Sequence, residues 1–253
     1  MNTANNLWMA PPENLGLEDN DVHIWKVDLN VPGSHIQKLQ EVLSADEIKR
    51  ARRFYFQKDR NAFTVARGAL RNILSWYLNF QPDELVFEYN SYGKPSLVTR
   101  FNTKNLQFNL SHSHQLALVA VIWNHEVGVD VEWMREDLAD LQIAGRFFSQ
   151  AEVVELRTVP VAKQKTAFFN CWTRKEAFIK AKGKGLSIPL DQFDVSLKPG
   201  VPAALLRTRF LLNEASHWAI YDVSPEPGYR AALAIPTKQK HIKYWQFATS
   251  SAG

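Results

Sequence analysis

Two short stretches carry side chains with the types and spacing for metal or phosphoryl chemistry. In VGVDVEW, residues 127–133, apolar and other residues alternate. Val127, Val129 and Val131 therefore share one face of a strand, and Gly128, Asp130 and Glu132 share the other. Two carboxylates emerging side by side repel unless positive charge lies near them. A hard divalent cation meets that need, and Mg2+ takes oxygen ligands, commonly one or two carboxylates with waters and phosphates. The competing reading is a strand edge with two hydrated acids. In FFNCWTRKEAFIKAK, Trp172, Glu176 and Lys180 stand four apart on one stripe of a helix. A surface Glu–Lys pair there would contribute only about 0.2–0.5 kcal/mol. Phe169 and Trp172 make the stripe partly apolar, so Glu176 is expected to be half-buried and in need of a cation. One Mg2+ held by Asp130, Glu132 and Glu176 would satisfy all three, leaving Lys180 and Lys175 to neutralise a phosphate.

The helix carrying Glu176 is expected to stop at Gly183, where KGKGLS turns tightly. Neither the Walker spacing nor Gly-x-Gly-x-x-Gly occurs, which leaves P-loop and dinucleotide folds unsupported. The segment FNLSHSH, residues 108–114, precedes an apolar strand. Its His112-x-His114 pair has no third zinc ligand at supportive spacing, and no Gly-x-Ser-x-Gly elbow supports a Ser–His hydrolase. Hydrogen bonding of Ser111 and His112 to a phosphate suits the basic surroundings better; polar residues at a strand start is the alternative. Lys94 lies on a Gly-Lys-Pro turn that Pro95 stiffens.

These residues must be positioned by a frame, and the chain contains one twice. LSADEIKRAR and FSQAEVVELR both read Ser-x-x-Glu into a helix, with Ser44 and Ser149 standing 105 positions apart. Phe63 and Phe168, in the helices that follow, have the same separation. Strand-like stretches flank both pairs: 21–29 and 84–90 in the first, 116–123, 127–133 and 191–197 in the second. The expectation is an α+β fold of two similar halves about a pseudo-twofold axis, with a ligand cleft between them. At that offset Glu176 matches Arg71 and Trp172 matches Arg67, so the second half has gained the acidic chemistry. The division expected is a lead over 1–20, a first half over 21–107 and a second half over 108–253 that carries the metal site. RAALAIP is expected to be a further strand, and YWQF an aromatic end without assigned chemistry.

The 253 residues are 45% hydrophobic, enough for a substantial core, and carry a formal net charge of +4. That balance suits an anionic ligand or an acidic partner. The single cysteine, Cys171, excludes an intrachain disulfide and a cysteine zinc cluster, which fits a reducing compartment. No basic start with an apolar core opens the sequence, and no apolar run approaches the roughly 20 residues that span a bilayer. A cytoplasmic protein without a membrane segment is the expectation. The basic run over 48–60 is otherwise a solvated helix face.

In order, RRFYFQKDRNAF, YGKPSL, FNLSHS, GVDVE, RFFSQAE and WTRKEAFIKAKGKGLS resemble the 4'-phosphopantetheinyl transferases of the long, surfactin-synthetase-activating type. The matching stretches lie within residues 50–187. The resemblance implies the phosphopantetheinyl transferase fold. It also implies transfer of the phosphopantetheine arm of coenzyme A to a serine of an apo acyl or peptidyl carrier protein, releasing adenosine 3',5'-bisphosphate. Asp130, Glu132 and Glu176 would hold Mg2+ on the pyrophosphate. Lys180 would contact phosphates and aid the leaving group, with Lys175 close by. His112 and Arg50 would receive the 3'-phosphate, Ser111 the pyrophosphate region, and Lys94 with its loop the adenine end. Glu47 and Ala62 stand where some members carry phosphate-contacting basic residues; Arg53, Arg60 or Arg67 are candidates to compensate. Glu176 is the nearest candidate base, directly or through a metal-bound water. A monomer is expected, since two halves complete a cleft, and residues 133–147 are expected to help dock the carrier. Two other readings compete: a Mg2+-dependent nuclease using the same carboxylates, and a nucleic-acid-binding module using 48–60. The second is disfavoured by carboxylates that would repel phosphate without a metal.

Overall fold

The computed structural model describes residues 8–135, 139, 141–211, 213–223, 225–236 and 241–248. Alternation in DVHIWKVD sends Val22 and Ile24 to one side of strand β1 (Asp21–Asp28) and Trp25 and Val27 to the other, and all four are buried. Strand β5 (Leu116–Trp123) pairs antiparallel with β1, β4 (Leu106–Ser113) pairs with β5, and β11 (His241–Gln246) runs parallel to β1 on its other edge. The sheet order is β11-β1-β5-β4. A second antiparallel sheet has the order β6-β10-β9, formed by β6 (Gly128–Trp133), β9 (Ala219–Val223) and β10 (Tyr229–Ile235). Ile24, Leu118, Ala120 and Ile122 of the first sheet pack against Val129, Val131 and Leu233 of the second. Each sheet presents its other face to a 22-residue helix: Trp25, Val27 and Val119 meet α3 (Gln57–Leu78), and Ala232 and Ala234 meet α6 (Val161–Lys182). Helices α1 (Gly33–Glu41) and α2 (Ala45–Ala51) flank α3, while α4 (Leu141–Phe147) and α5 (Gln150–Thr158) accompany α6. Two small strand pairs, β2 (Phe87–Tyr89) with β3 (Pro95–Leu97) and β7 (Phe193–Val195) with β8 (Leu205–Thr208), complete the α+β fold. Among the described residues no helix is long and apolar enough to cross a membrane.

Both capping boxes form, with Ser44 N donating to Glu47 at 3.0 Å and Ser149 N to Glu152 at 2.8 Å. The two glutamates also share a second task. Glu47 accepts from Arg67 and Arg71, and Arg71 Nη1 donates to Pro82 O and Leu85 O at 2.8 and 2.9 Å. Glu152 pairs with Lys175 Nζ at 2.8 Å, and Lys175 Nζ donates to Leu190 O and Phe193 O, both at 2.6 Å. Each cation thus ties a capping-box acid to the chain that leaves the long helix. Lys175 therefore corresponds to Arg71, 104 positions on, not 105. The helices end on left-handed residues with the same spacing, Asn79 (φ 57°) and Gly183 (φ 64°). The serines keep the 105 offset and the long helices slip by one, which sets Glu176 opposite Asn72 instead of Arg71.

The structure adds three further points. A division at 107/108 would cut β4, which pairs with β5 and through it joins β1 in the first sheet. YWQF enters β11, which returns to the first sheet beside β1. The lead is ordered from residue 8: Gln246 N donates to Met9 O at 2.7 Å, Trp123 Nε1 donates to Leu17 O at 2.8 Å, and Leu15 and Leu17 pack on the first core. Residues 1–7, and 136–138 and 140 of the segment expected to dock a carrier, lie outside the described residues.

Candidate functional site

Strand β4 has a period-two row of short polar residues, Asn109, Ser111 and Ser113, that faces the free edge of β6. No backbone ladder joins the two strands. Instead, Asn109 Oδ1, Ser111 Oγ and Ser113 Oγ accept the N–H groups of Val129, Val131 and Trp133 at 2.9, 3.4 and 3.1 Å. Those N–H groups would otherwise be buried and unpaired. Each serine then donates its own hydroxyl to a carboxylate: Ser111 to Asp130 Oδ1 at 2.9 Å and Ser113 to Glu132 Oε2 at 2.8 Å. The seam between the sheets is thereby the device that aims both acids.

The opposite wall is α6. Among residues 171–181 only Trp172, Glu176 and Lys180 are less than fully buried, so the stripe inferred from spacing is the face that reaches the site. Trp172 packs on Phe147, Phe148 and Phe168. Close approach of β6 to α6 requires Gly128, whose added Cβ would lie 2.0 Å from Ala177 O. Lys180 Nζ reaches across to Asp130 Oδ1 at 2.5 Å and to Ser111 Oγ at 2.9 Å. Burial, then the neighbouring Asp130 and Glu132, push the Glu176 carboxyl up to about 7 against the opposing pull of Lys180. Burial and Asp130 also raise Glu132, with Ser113 and Lys180 opposing. Asp130 Oδ2 is buried without a hydrogen-bond partner.

The three carboxylates thus share one electrostatic neighbourhood, but they do not stand as a metal-holding set: among the described residues no group of three or more such side chains is arranged for an ion. Unneutralised acids take the nearest donors, and Lys180 and Ser113 are those donors. The chemistry of the set still suits a hard cation. It consists of oxygens only, it is short of positive charge, and one buried oxygen lacks a partner.

His112, next along β4, points away from Ser111 into a cleft of about 490 Å³, whose opposite wall includes Phe54, Lys58, Asp59 and Ala62 of the first half. Desolvation by the surrounding walls, then Lys180, lower the His112 imidazole, while Asp59 opposes. Arg50 is exposed, its guanidinium 5.5 Å over the Phe63 ring and outside the cleft lining. Two lysines lie elsewhere than expected. Lys175 is fully buried on the far side of α6, since one position turns about 100° around a helix. Lys94 gives its ammonium to Val127 O at 3.1 Å and Ala181 O at 2.8 Å, and burial lowers it to about 8. Sequence reasoning missed Asn109 and Ser113, whose signal was the Asn-x-Ser-x-Ser alternation beside Ser111. It also gave no role to Lys58 and Asp59, although both lie within the RRFYFQKDRNAF stretch.

A seam of carboxylates and a lysine thus lies beside a cleft with cationic and hydrogen-bonding walls, a set of groups suited to phosphate-bearing ligands. Residues 126–234 match the 4'-phosphopantetheinyl transferase superfamily, and residues 32–124 match the "4'-phosphopantetheinyl transferase, N-terminal" family. The two matches meet where β5 ends and β6 begins. The chain is 39% identical over 241 residues to the 4'-phosphopantetheinyl transferase HetI of Nostoc sp. (strain PCC 7120), covering 95% of this chain and 98% of that protein. It is 29% identical over 197 residues to the 4'-phosphopantetheinyl transferase Sfp of Bacillus subtilis (strain 168), covering 78% and 84%. A further 4'-phosphopantetheinyl transferase of Bacillus subtilis is 33% identical over 161 residues, covering 64% and 69%. The chain belongs to the 4'-phosphopantetheinyl transferase family and is of the Sfp type.

Proposed function

We propose that this enzyme takes the 4'-phosphopantetheine arm from coenzyme A and places it on a serine hydroxyl of an apo acyl or peptidyl carrier protein, releasing adenosine 3',5'-bisphosphate. The observation that supports this best is the Asp130–Lys180–Ser111 contact, with Glu132 and Glu176 beside it, at the seam between the halves. The serine oxygen attacks the pyrophosphate phosphorus that bears the pantetheine arm. A phosphorus–oxygen bond forms to the carrier, and the bond to the bridging oxygen breaks. Glu176, raised toward neutrality, accepts the serine proton. Lys180 stabilises charge on the departing phosphate. Ser111 orients Asp130, His112 receives the 3'-phosphate in the cleft, and Arg50, exposed outside the cleft lining, adds positive charge toward it. Asp130, Glu132 and Glu176 would hold Mg2+, which when bound polarises the phosphoryl oxygens. The net charge of +4 favours approach of an acidic carrier. We place the enzyme in the cytoplasm as a monomer, without nucleic-acid or membrane partners.

The test is mass spectrometry of an apo carrier protein after incubation with the enzyme, coenzyme A and Mg2+. The carrier gains one phosphopantetheine with wild type, and Glu176→Gln or Asp130→Ala removes the gain. No gain with several diverse carriers, together with cleavage of nucleic acid, would overturn the reading in favour of a nuclease.

A further inference from the structure

The turn over Asn90–Lys94 crosses from the first half to the two elements that carry the catalytic groups. Asn90 builds the turn itself, its Oδ1 accepting Tyr92 N at 3.0 Å and Lys94 N at 2.9 Å, with Gly93 at φ +85°. The Asn90 amide still has its Nδ2 hydrogens, and it donates to Gly183 O at 2.7 Å, at the very end of α6. Lys94 Nζ donates to Ala181 O, one of the last α6 carbonyls that no helical N–H can reach. The same ammonium donates to Val127 O, immediately before β6. A cation at a helix C-terminus also meets the negative end of the helix dipole. Gly183 is required twice, for its left-handed φ of +64° and because an added Cβ would lie 2.9 Å from Lys94 Cδ.

One ammonium therefore fastens both Val127, three residues before Asp130, and Ala181, the neighbour of Lys180. We propose that Asn90 and Lys94 are positioning residues: a cross-half clasp that caps α6 in trans and fixes Glu176 and Lys180 against Asp130 and Glu132. This rests on the transferase reading of the site. The side chain of Lys94 is spent on the backbone of the second half and sets the geometry of the reacting groups, whatever its turn offers to the nucleotide.

Steady-state kinetics with coenzyme A varied and apo carrier saturating, for Lys94→Met and Asn90→Asp, test the clasp. Asn90→Asp keeps the turn acceptor and replaces the donor to Gly183 O with a carboxylate oxygen that repels it. Both variants lower kcat about tenfold or more, because small displacements of reacting groups cost rate, while KM for coenzyme A stays within about threefold. A rise in KM at unchanged kcat means that Lys94 grips the nucleotide directly and overturns the proposal. Hydrogen exchange supplies a readout that needs no turnover: amides of 178–184 exchange about tenfold faster in either folded variant. Unchanged exchange there overturns the clasp, even if wild type proves inactive on every carrier, an outcome that would count against the transferase reading instead.

Discussion

Ser111 and Ser113 each accept a backbone N–H of β6 and pass their own hydroxyl to a carboxylate. Replacing Ser113 by alanine leaves Trp133 N and Glu132 Oε2 without these partners. The expected result is a loss of about 1–3 kcal/mol in urea unfolding and a several-fold fall in kcat. Lys175 is the residue on which sequence and structure part most clearly. Lying beside Glu176 in sequence, it reads as a second phosphate lysine. In the fold it is buried with Glu152, and its ammonium also holds Leu190 O and Phe193 O. Lys175→Met leaves an acid buried without its partner, so it should destabilise by about 3–5 kcal/mol. KM for coenzyme A of the surviving folded enzyme should stay near wild type; a large rise in KM with intact stability would restore the phosphate role. Asp130, Glu132, Glu176 and Lys180 were legible because alternation and fourfold spacing fix the face of a strand or helix. The destination of a long lysine side chain was not, because its reach depends on which carbonyls tertiary packing leaves unpaired.

Among the elements, β6 and α6 form the working pair, and Gly128 sets their separation. An alanine there would drive its Cβ into Ala177 O and within 2.3 Å of Ala181 N, both backbone atoms that cannot rotate away. Gly128→Ala should therefore push the helix off the strand, lowering stability by about 1–3 kcal/mol or more and kcat with it. Thermal unfolding alongside kinetics checks this, and an alanine variant of full stability and rate would show that the approach is looser than described. The capping boxes were readable as Ser-x-x-Glu and both formed. The one-residue slip between the long helices was not, since Phe63 and Phe168 agree at 105 by type while the buried Arg71 and Lys175 agree at 104 by contacts. Strand β4 was read as the start of the second half because its polar residues belong to the site. Its ladder bonds belong to the first sheet, and only its side chains serve the second.

At the scale of the molecule, the first sheet depends on a buried polar chain. Trp25 Nε1 donates to Tyr77 Oη at 2.8 Å, and Tyr77 Oη lies 2.7 Å from His23 Nδ1, which fits a neutral imidazole accepting the hydroxyl proton. Burial, then Lys243, lower His23 to about 4 from an ordinary 6.5, against the pull of Asp21. Between those values the unfolded chain binds a proton that the folded one refuses, so stability is full above pH 6.5 and falls as pH drops toward 4. The loss reaches about 3 kcal/mol. Urea midpoints across that range should show the decline, and His23→Gln should remove most of it. The two halves and their α+β class were visible in the repeat. The closure of β11 onto β1 was not, because partners more than 200 residues apart leave no local pattern. The proposed cation between β6 and α6 is most directly measured with Mn2+ as a paramagnetic substitute for Mg2+. Electron paramagnetic resonance of the enzyme with coenzyme A should count one bound Mn2+ per chain, and Asp130→Ala, Glu132→Ala and Glu176→Gln should each weaken it at least tenfold. Binding that is absent in wild type, or unchanged in all three variants, would contradict the account.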